Sequence, residues 1–317
     1  MTNPMLASDY DESKVQFPCI AQPKIDGVRA LNMHGGLTGR SLKLHKNRYT
    51  TNFYSQDFFK GFDGELAADV ENHPDLCRIT SSAVGTIKGE PFTLWWLFDY
   101  ITPNTAALGY WSRYTNLCKR VAELQADPAC QPWAGHLRVV PYRLIHDLQA
   151  LREYDDENLE AGFEGTIIRS LEGPHKQGRS TIREGGLLRI KRFLDGEALL
   201  LDIVEGETNG NEAQVNELGH QFRSSHQANM VPNGMVGSFT GKALADIFDG
   251  TRKVIEKDQI LTISPGNIDH ASRRAMFANR ADMIEQGVVI KFKFFPKGIK
   301  DKPRFPTAIS VRAPEDM

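Results

Sequence analysis

Apolar and polar positions in the first two thirds of the chain alternate in short runs, with few long helical stripes. Between residues 17 and 40, brief β-rich runs are broken by a charged segment and by Gly35-Gly36, which predicts strand, loop, strand, hairpin and strand. Similar runs predict strands at Gly61–Ala68, Phe92–Ile101, Arg138–Pro141, Gly162–Arg169 and Gly185–Phe193. Apolar residues spaced three and four apart predict helices around Trp111–Leu124 and Ile145–Ala161. After Leu194-Asp195-Gly196 the pattern turns mainly β, with runs at Ala198–Val204, Met235–Thr240, Gln259–Ile263, Val288–Phe295 and Thr307–Val311. Five short strands suit a small barrel. The expected architecture is α+β: a mixed-sheet domain at 1–194 followed by a barrel domain at 195–317. One stretch of the second domain, 205–234, contains Asn209, Asn211, Asn216, Asn229 and Asn233 with little apolar content, too polar to be core.

A length of 317 residues with 40% hydrophobic and 25% charged content leaves room for one sizeable core and a smaller one. No apolar run approaches the roughly 18 residues that a membrane helix needs. The start, Met1 to Ser13, is polar and acidic rather than signal-like, so the expectation is a soluble intracellular protein with no membrane partner. Cys19, Cys77, Cys118 and Cys130 fall in no metal-ligand spacing and are too sparse for a disulfide scaffold. The net charge of −2 argues against a polyanionic partner only until charge is counted locally. Lys24, Arg29, Arg40, Lys43, Lys46 and Arg48 face one acid, Asp26, giving that segment a charge of +5. Lys291, Lys293, Lys297, Lys300, Lys302 and Arg304 face only Asp301. Two such stretches can grip phosphates; each alone also describes a solvated surface.

The chemistry begins at Lys24-Ile25-Asp26-Gly27-Val28-Arg29. A lysine amine attacks phosphorus at neutral pH only if neighbouring cations, a metal or desolvation keep it partly unprotonated, and Arg29 is a candidate positive neighbour. Gly27 lets the backbone turn and approach closely, and Asp26 can orient the lysine or a metal-bound water. Taken alone, this pattern also describes a salt-bridged turn. Four later elements change that balance. Phe62-Asp63-Gly64-Glu65 puts a carboxylate at a strand end, and Trp95-Trp96-Leu97-Phe98-Asp99 offers an aromatic followed by an acid. Glu164-Gly165-Thr166-Ile167-Ile168-Arg169 offers an acid with a cation five residues on, and Arg189-Ile190-Lys191 places two cations on one face of a strand.

These five elements, in this order, resemble the signature of the lysine nucleotidyltransferase superfamily, which comprises DNA ligases, RNA ligases and capping guanylyltransferases. The likeness runs from about Phe17 to the C-terminus and is nearest to the minimal ATP-dependent DNA ligases of viruses and phages. It implies an ATP-grasp-like nucleotidyltransferase domain and an OB-fold domain, with 205–234 as a latch-like insertion. Only 23 residues precede Lys24, which leaves no room for an extra DNA-binding domain or for the leading domain of NAD-dependent ligases. The expected donor is therefore ATP.

Position by position, the resemblance implies that Lys24 is the nucleophile and that Asp26, Glu65 and Glu164 hold a divalent metal, Mg²⁺ or Mn²⁺. Phe98 matches the adenine-stacking aromatic, and Gln22, Arg29, Arg40, Glu65, Glu164, Arg179, Arg189 and Lys191 are implied nucleotide contacts, with Arg169 joining the phosphate network. Lys191 fits the second lysine of a Lys-x-Lys pair, whereas Arg189 departs from the first: it keeps the charge and changes the geometry. Arg40, Lys43, Lys46, Arg223, Lys291 and Lys293 are the implied DNA contacts. Residues 303–312 resemble the start of the OB domain's terminal motif, without its Asp-Lys pair. The implied activity is sealing of 3′-OH/5′-phosphate nicks in duplex DNA, in replication or repair, by a virus- or phage-type monomer that encircles its substrate. The same lysine chemistry would serve an RNA ligase or a GTP-using capping enzyme, which stays open as the alternative.

Overall fold

The computed structural model describes residues 3–296 and 303–312. The chain falls into two compact units, Met1–Lys191 and Arg192–Met317. The first contains β1 (Met5–Leu6), β2 (Ser8–Asp9), β3 (Cys19–Pro23), β4 (Val28–Leu31), α1 (Arg48–Phe53), β5 (Phe62–Ala67) and α2 (Leu76–Gly85). It continues through β6 (Leu94–Tyr100), α3 (Tyr110–Ala126), β7 (Leu137–Val139), β8 (Arg143–Ile145), α4 (Leu148–Glu160), β9 (Gly165–Ser170), β10 (Gly178–Arg179) and β11 (Leu187–Lys191).

Two sheets carry this unit, ordered β2-β11-β9-β3-β8 and β4-β5-β6-β7, with β1 paired to β10 beside them. Alternation decides which side chains each strand gives to the core. On β6, Trp95, Leu97 and Asp99 are buried, while Trp96, Phe98 and Tyr100 are half-buried on the other face. Trp95 packs with Tyr54, Phe59 and Phe62 in the main apolar cluster, and α3 adds Tyr110, Tyr114 and Leu117 to it. On α4, Asp147 caps the N-terminus by accepting from the Ala150 backbone N–H at 2.8 Å.

The expected strands and the helices α3 and α4 are present, and two local expectations need revision. The strand expected after Gly35-Gly36 reduces to isolated bridges from Thr38 to Leu31 and to Leu44. Helices α1 and α2 were not expected. Their Thr and Ser content weakens the helical pattern, yet Leu76, Cys77, Thr80 and Val84 line one buried face of α2.

The second unit contains β12 (Leu194–Asn209), β13 (Ala213–Val215), β14 (Gln221–Arg223), β15 (Met230–Ala243), β16 (Ile247–Asp249), β17 (Arg252–Ile255) and β18 (Ile260–Ile263). Helices α5 (His270–Ala278) and α6 (Arg280–Glu285) precede β19 (Val289–Phe295) and β20 (Arg304–Arg312). Five strands run in the order β18-β15-β12-β19-β20. Ser264 N donates to Pro306 O at 2.9 Å and Ala308 N to Ser264 O at 2.8 Å, which brings the two edges together. The interior is filled by Phe239, Ile263, Phe292 and Phe294. This is an α+β architecture, a mixed-sheet unit with helices followed by a small five-stranded barrel.

The Asn-rich stretch is built rather than irregular. The β12/β15 ladder extends to Asn209 opposite Met230, and a hairpin of β13 and β14 lies beyond it. Asn211 Nδ2 donates to Ser224 O at 2.9 Å and to His226 O at 2.8 Å, and Asn216 Oδ1 accepts from the Leu218 and His220 N–H groups. The asparagines thus close the base and tip of the hairpin with side-chain-to-backbone bonds. Lys297, Lys300 and Lys302 of the second cationic stretch lie outside the described residues.

Candidate active site

Three neighbouring strands of the first unit form the floor of a cleft. Just past the end of β3, Lys24 N donates to Gly165 O at 2.9 Å, and Glu164 N donates to Lys24 O at 3.0 Å. Residues 140 positions apart in the chain are therefore held side by side by the backbone. Lys24 Nζ donates to Glu164 Oε2, and Lys191 Nζ lies 2.6 Å from Glu164 Oε1. One carboxylate, 9% exposed, thus bridges two ammonium groups that are 20% and 11% exposed. Gly27 is needed where the loop meets β5, because a Cβ there would stand 2.3 Å from Leu66 O.

The facing wall comes from β4, β5 and β6. Arg29 lies opposite Glu65 in the ladder and forms a two-pronged pair with Asp63, Nε to Oδ1 at 2.6 Å and Nη2 to Oδ2 at 2.7 Å. Its guanidinium sits 4.7 Å from the centre of the Phe98 ring, and the Arg169 guanidinium sits 5.1 Å from it. Phe98, Glu65, Gln22, Lys24, Arg29, Arg40, Arg179 and Arg189 all line the cleft. Gln22 is 1% exposed; its Oε1 accepts from the Tyr110 hydroxyl at 2.8 Å.

The remaining wall was not anticipated. Leu6 and Ala7, from the first few residues, line the cleft. Arg29 Nη2 donates to Met5 O at 3.3 Å, Arg179 Nη1 donates to Ala7 O, and Arg189 Nε donates to Asp9 Oδ1 at 2.6 Å. Nothing in the pattern of residues 3–9 marks them as part of a site. Asp63 carries no mark of its own in the sequence either, although strand alternation puts it on the same face as Glu65.

The electrostatics differ from the expected arrangement. Burial favours the neutral form of Lys24, but the carboxylates of Glu164, Asp26 and Glu65 outweigh it and hold the ammonium above its ordinary pKa. Arg29, expected as the positive neighbour that would lower it, is committed to Asp63. Burial opposes ionisation of Glu164 too, yet Lys24 and Lys191 hold its carboxyl well below the usual range. Glu65 shows the reverse outcome: burial pushes it up to about 7, with Arg29 and Lys24 opposing only in part.

Among the described residues, no three His, Cys, Asp or Glu side chains converge as a metal cage. The oxygen donors of Asp26 and Glu65 nonetheless suit a hard divalent ion that arrives with phosphates, since magnesium is commonly held by one or two carboxylates plus substrate oxygens. Glu164, expected with them, is occupied by the two lysines. Arg169 is 3% exposed, reaches Asp99 at 3.4 Å and also lines the cleft. Lys43 and Lys46 are exposed on the segment after Arg40. In the second unit, Lys293 lies over the Phe193 ring at 4.7 Å, Lys291 is 4.0 Å from Asp195, and Arg223 donates to Asn211 O at the base of the hairpin.

No protein-family model matches the chain, and comparison with curated proteins finds no match. Solved structures do match. The Chlorella virus DNA ligase-adenylate is 25% identical with a TM-score of 0.51, covering 98% of this chain and 100% of that one. A Lig E DNA ligase, described as binding DNA with a minimal scaffold, is 20% identical with a TM-score of 0.66, covering 98% of this chain and 100% of its own. The likeness therefore takes in both units and leaves almost none of either chain unaccounted for. Over nearly its whole length the chain matches the minimal ATP-dependent DNA ligases, with their nucleotidyltransferase domain followed by an OB domain.

Proposed function

We propose that this chain is an ATP-dependent DNA ligase that seals 3′-OH/5′-phosphate nicks through AMP bound covalently to Lys24. The observation that carries the reading is the Lys24–Glu164–Lys191 cluster, whose Lys24 lines the same cleft as Phe98 and Glu65. A lysine held beside a second cation, opposite an aromatic face, has the parts needed to take a nucleotide: a nucleophile, a phosphate counter-charge and a surface for the base.

In the resting protein Glu164 keeps Lys24 as an ammonium, so the nucleophile is parked. Entry of the triphosphate brings oxygens that compete for Lys191 and separate the cluster. Lys24 Nζ, having passed a proton to solvent, attacks the α-phosphorus; a P–N bond forms, the P–O bond to pyrophosphate breaks, and the nitrogen releases a second proton to solvent. A divalent ion held by Asp26 and Glu65 together with phosphate oxygens would neutralise charge at that centre. An oxygen of the nick's 5′-phosphate then attacks the same phosphorus, which breaks the P–N bond and returns the pair to Lys24. Finally the 3′-hydroxyl attacks the activated 5′-phosphate and AMP leaves. Arg40, Lys43 and Lys46 supply duplex phosphate contacts on the first unit, and Arg223, Lys291 and Lys293 do so on the second. The β13–β14 hairpin would serve as a latch on DNA, and a single chain would act on each nick.

The test is mass spectrometry after incubation with ATP or GTP and magnesium, followed by assays on nicked DNA and nicked RNA duplexes. An AMP-sized adduct on Lys24, lost in Lys24→Ala along with nick sealing, is the expected result. Labelling by GTP alone, or sealing of RNA alone, would replace this reading with the capping or RNA-ligase alternative.

A further inference from the structure

Arg189 stands where the resemblance leads one to expect a lysine, and its neighbour across the sheet is an acid, Asp9. Strands β2 and β11 run parallel with Asp9 and Arg189 paired in register. Tyr10 N donates to Arg189 O at 3.0 Å, and Ser8 Oγ donates to Ser180 O, so the backbone on both sides of the pair is fixed. Arg189 Nε meets Asp9 Oδ1 at 2.6 Å, at the edge of the cleft that Arg189 lines. A lysine here would give its one ammonium to Asp9 and have its charge neutralised. A guanidinium is different: held at Nε by a carboxylate, it retains a second edge of N–H groups that can meet a phosphate.

We propose that Asp9 is a positioning residue for the phosphate end of the nucleotide site. It holds Arg189 through Nε so that the terminal nitrogens face the triphosphate, and the acid at 9 and the arginine at 189 act as a matched pair. Two further contacts support a role for the whole N-terminal segment: Met5 O accepts from Arg29 and Ala7 O from Arg179, so the segment fastens on three arginines of the cleft. The inference rests on the reading that this cleft takes ATP.

The experiment is a double-mutant cycle on the rate of AMP transfer to Lys24 and on its KM for ATP. Asp9 is largely exposed, so its variants are expected to fold. Asp9→Ala should lower kcat/KM for self-adenylylation about fivefold, the scale of one exposed charge pair. Arg189→Ala should cost more, and Asp9→Ala/Arg189→Ala should be no worse than Arg189→Ala alone. Arg189→Lys should be impaired, and Asp9→Asn/Arg189→Lys should regain activity, because the lysine is then released from its carboxylate. Losses that multiply in the double variant, or a lysine variant that Asp9→Asn does not improve, would overturn the proposal. Failure of the underlying reading looks different, since native protein would then carry no AMP on Lys24. The same cycle would in that case be read from ATP affinity by calorimetry, and absence of coupling there would equally overturn it.

Discussion

Replacing Asp99 with asparagine isolates the charge that holds Arg113 and Arg169 behind the cleft. Asp99 is 1% exposed and accepts from Arg113 Nε at 2.9 Å, Arg113 Nη2 at 3.1 Å and Arg169 Nη1 at 3.4 Å. Arg113 is equally buried. Asparagine keeps the shape and one acceptor but leaves two guanidiniums without their counter-charge. Removing one member of a buried pair costs about 3–5 kcal/mol, and the retained acceptor favours the lower figure, about 3. For a unit of this size each kcal/mol is worth about 2–4 °C, so Asp99→Asn should lower the melting temperature by about 6–12 °C. The pH dependence has a definite sign. Burial raises the Asp99 pKa, but Arg113 and Arg169 outweigh it and the net shift is downward. The stabilisation is therefore complete above the unfolded value of about 3.9 and fades as pH falls through the lower folded value. Thermal melts followed by circular dichroism should show the full gap between native protein and variant at neutral pH, and a shrinking gap in acid below that value. A variant that melts within about 2 °C of the native protein at neutral pH, or a gap that persists undiminished in acid, would refute the account.

Two further outcomes follow from the cleft and its surroundings. Glu164→Gln removes the carboxylate that most strongly holds the Lys24 proton, so the pH profile of self-adenylylation should move to lower pH even if its maximum falls; a profile that stays or moves upward would contradict the parked-lysine picture. Lys43→Ala and Lys46→Ala should weaken duplex binding and should each reduce the slope of log K against log salt by about 0.9, whereas an unchanged slope in gel-shift titrations would remove both from the DNA face.

The strands and the two long helices were legible because apolar periodicity follows burial directly, as on β6. The candidate site residues were legible because each interrupts an apolar run with a charge: Lys24 after β3, Glu65 in β5, Glu164 before β9, Lys191 at the end of β11. Their partners were not. Asp63 and Asp99 read like any acid in a strand, and only the fold reveals that Arg29 and Arg113 lie against them. The same limit hid the part played by residues 5–9, since a carbonyl that accepts from an arginine leaves no mark on composition. In the Asn-rich insertion the order comes from side-chain-to-backbone bonds, which hydrophobic pattern does not report.

The meeting of Lys24 with Glu164 depends on two backbone hydrogen bonds between strand ends, so the long excursion of chain between them bears on that meeting only through its return to the same ladder. Lengthening a surface connection raises its closure entropy only slowly. Exposed connections can therefore drift in length and composition while the strand ends stay in register. Kinship in proteins of this design should persist as a few short islands of sequence separated by stretches that have lost all trace of common origin.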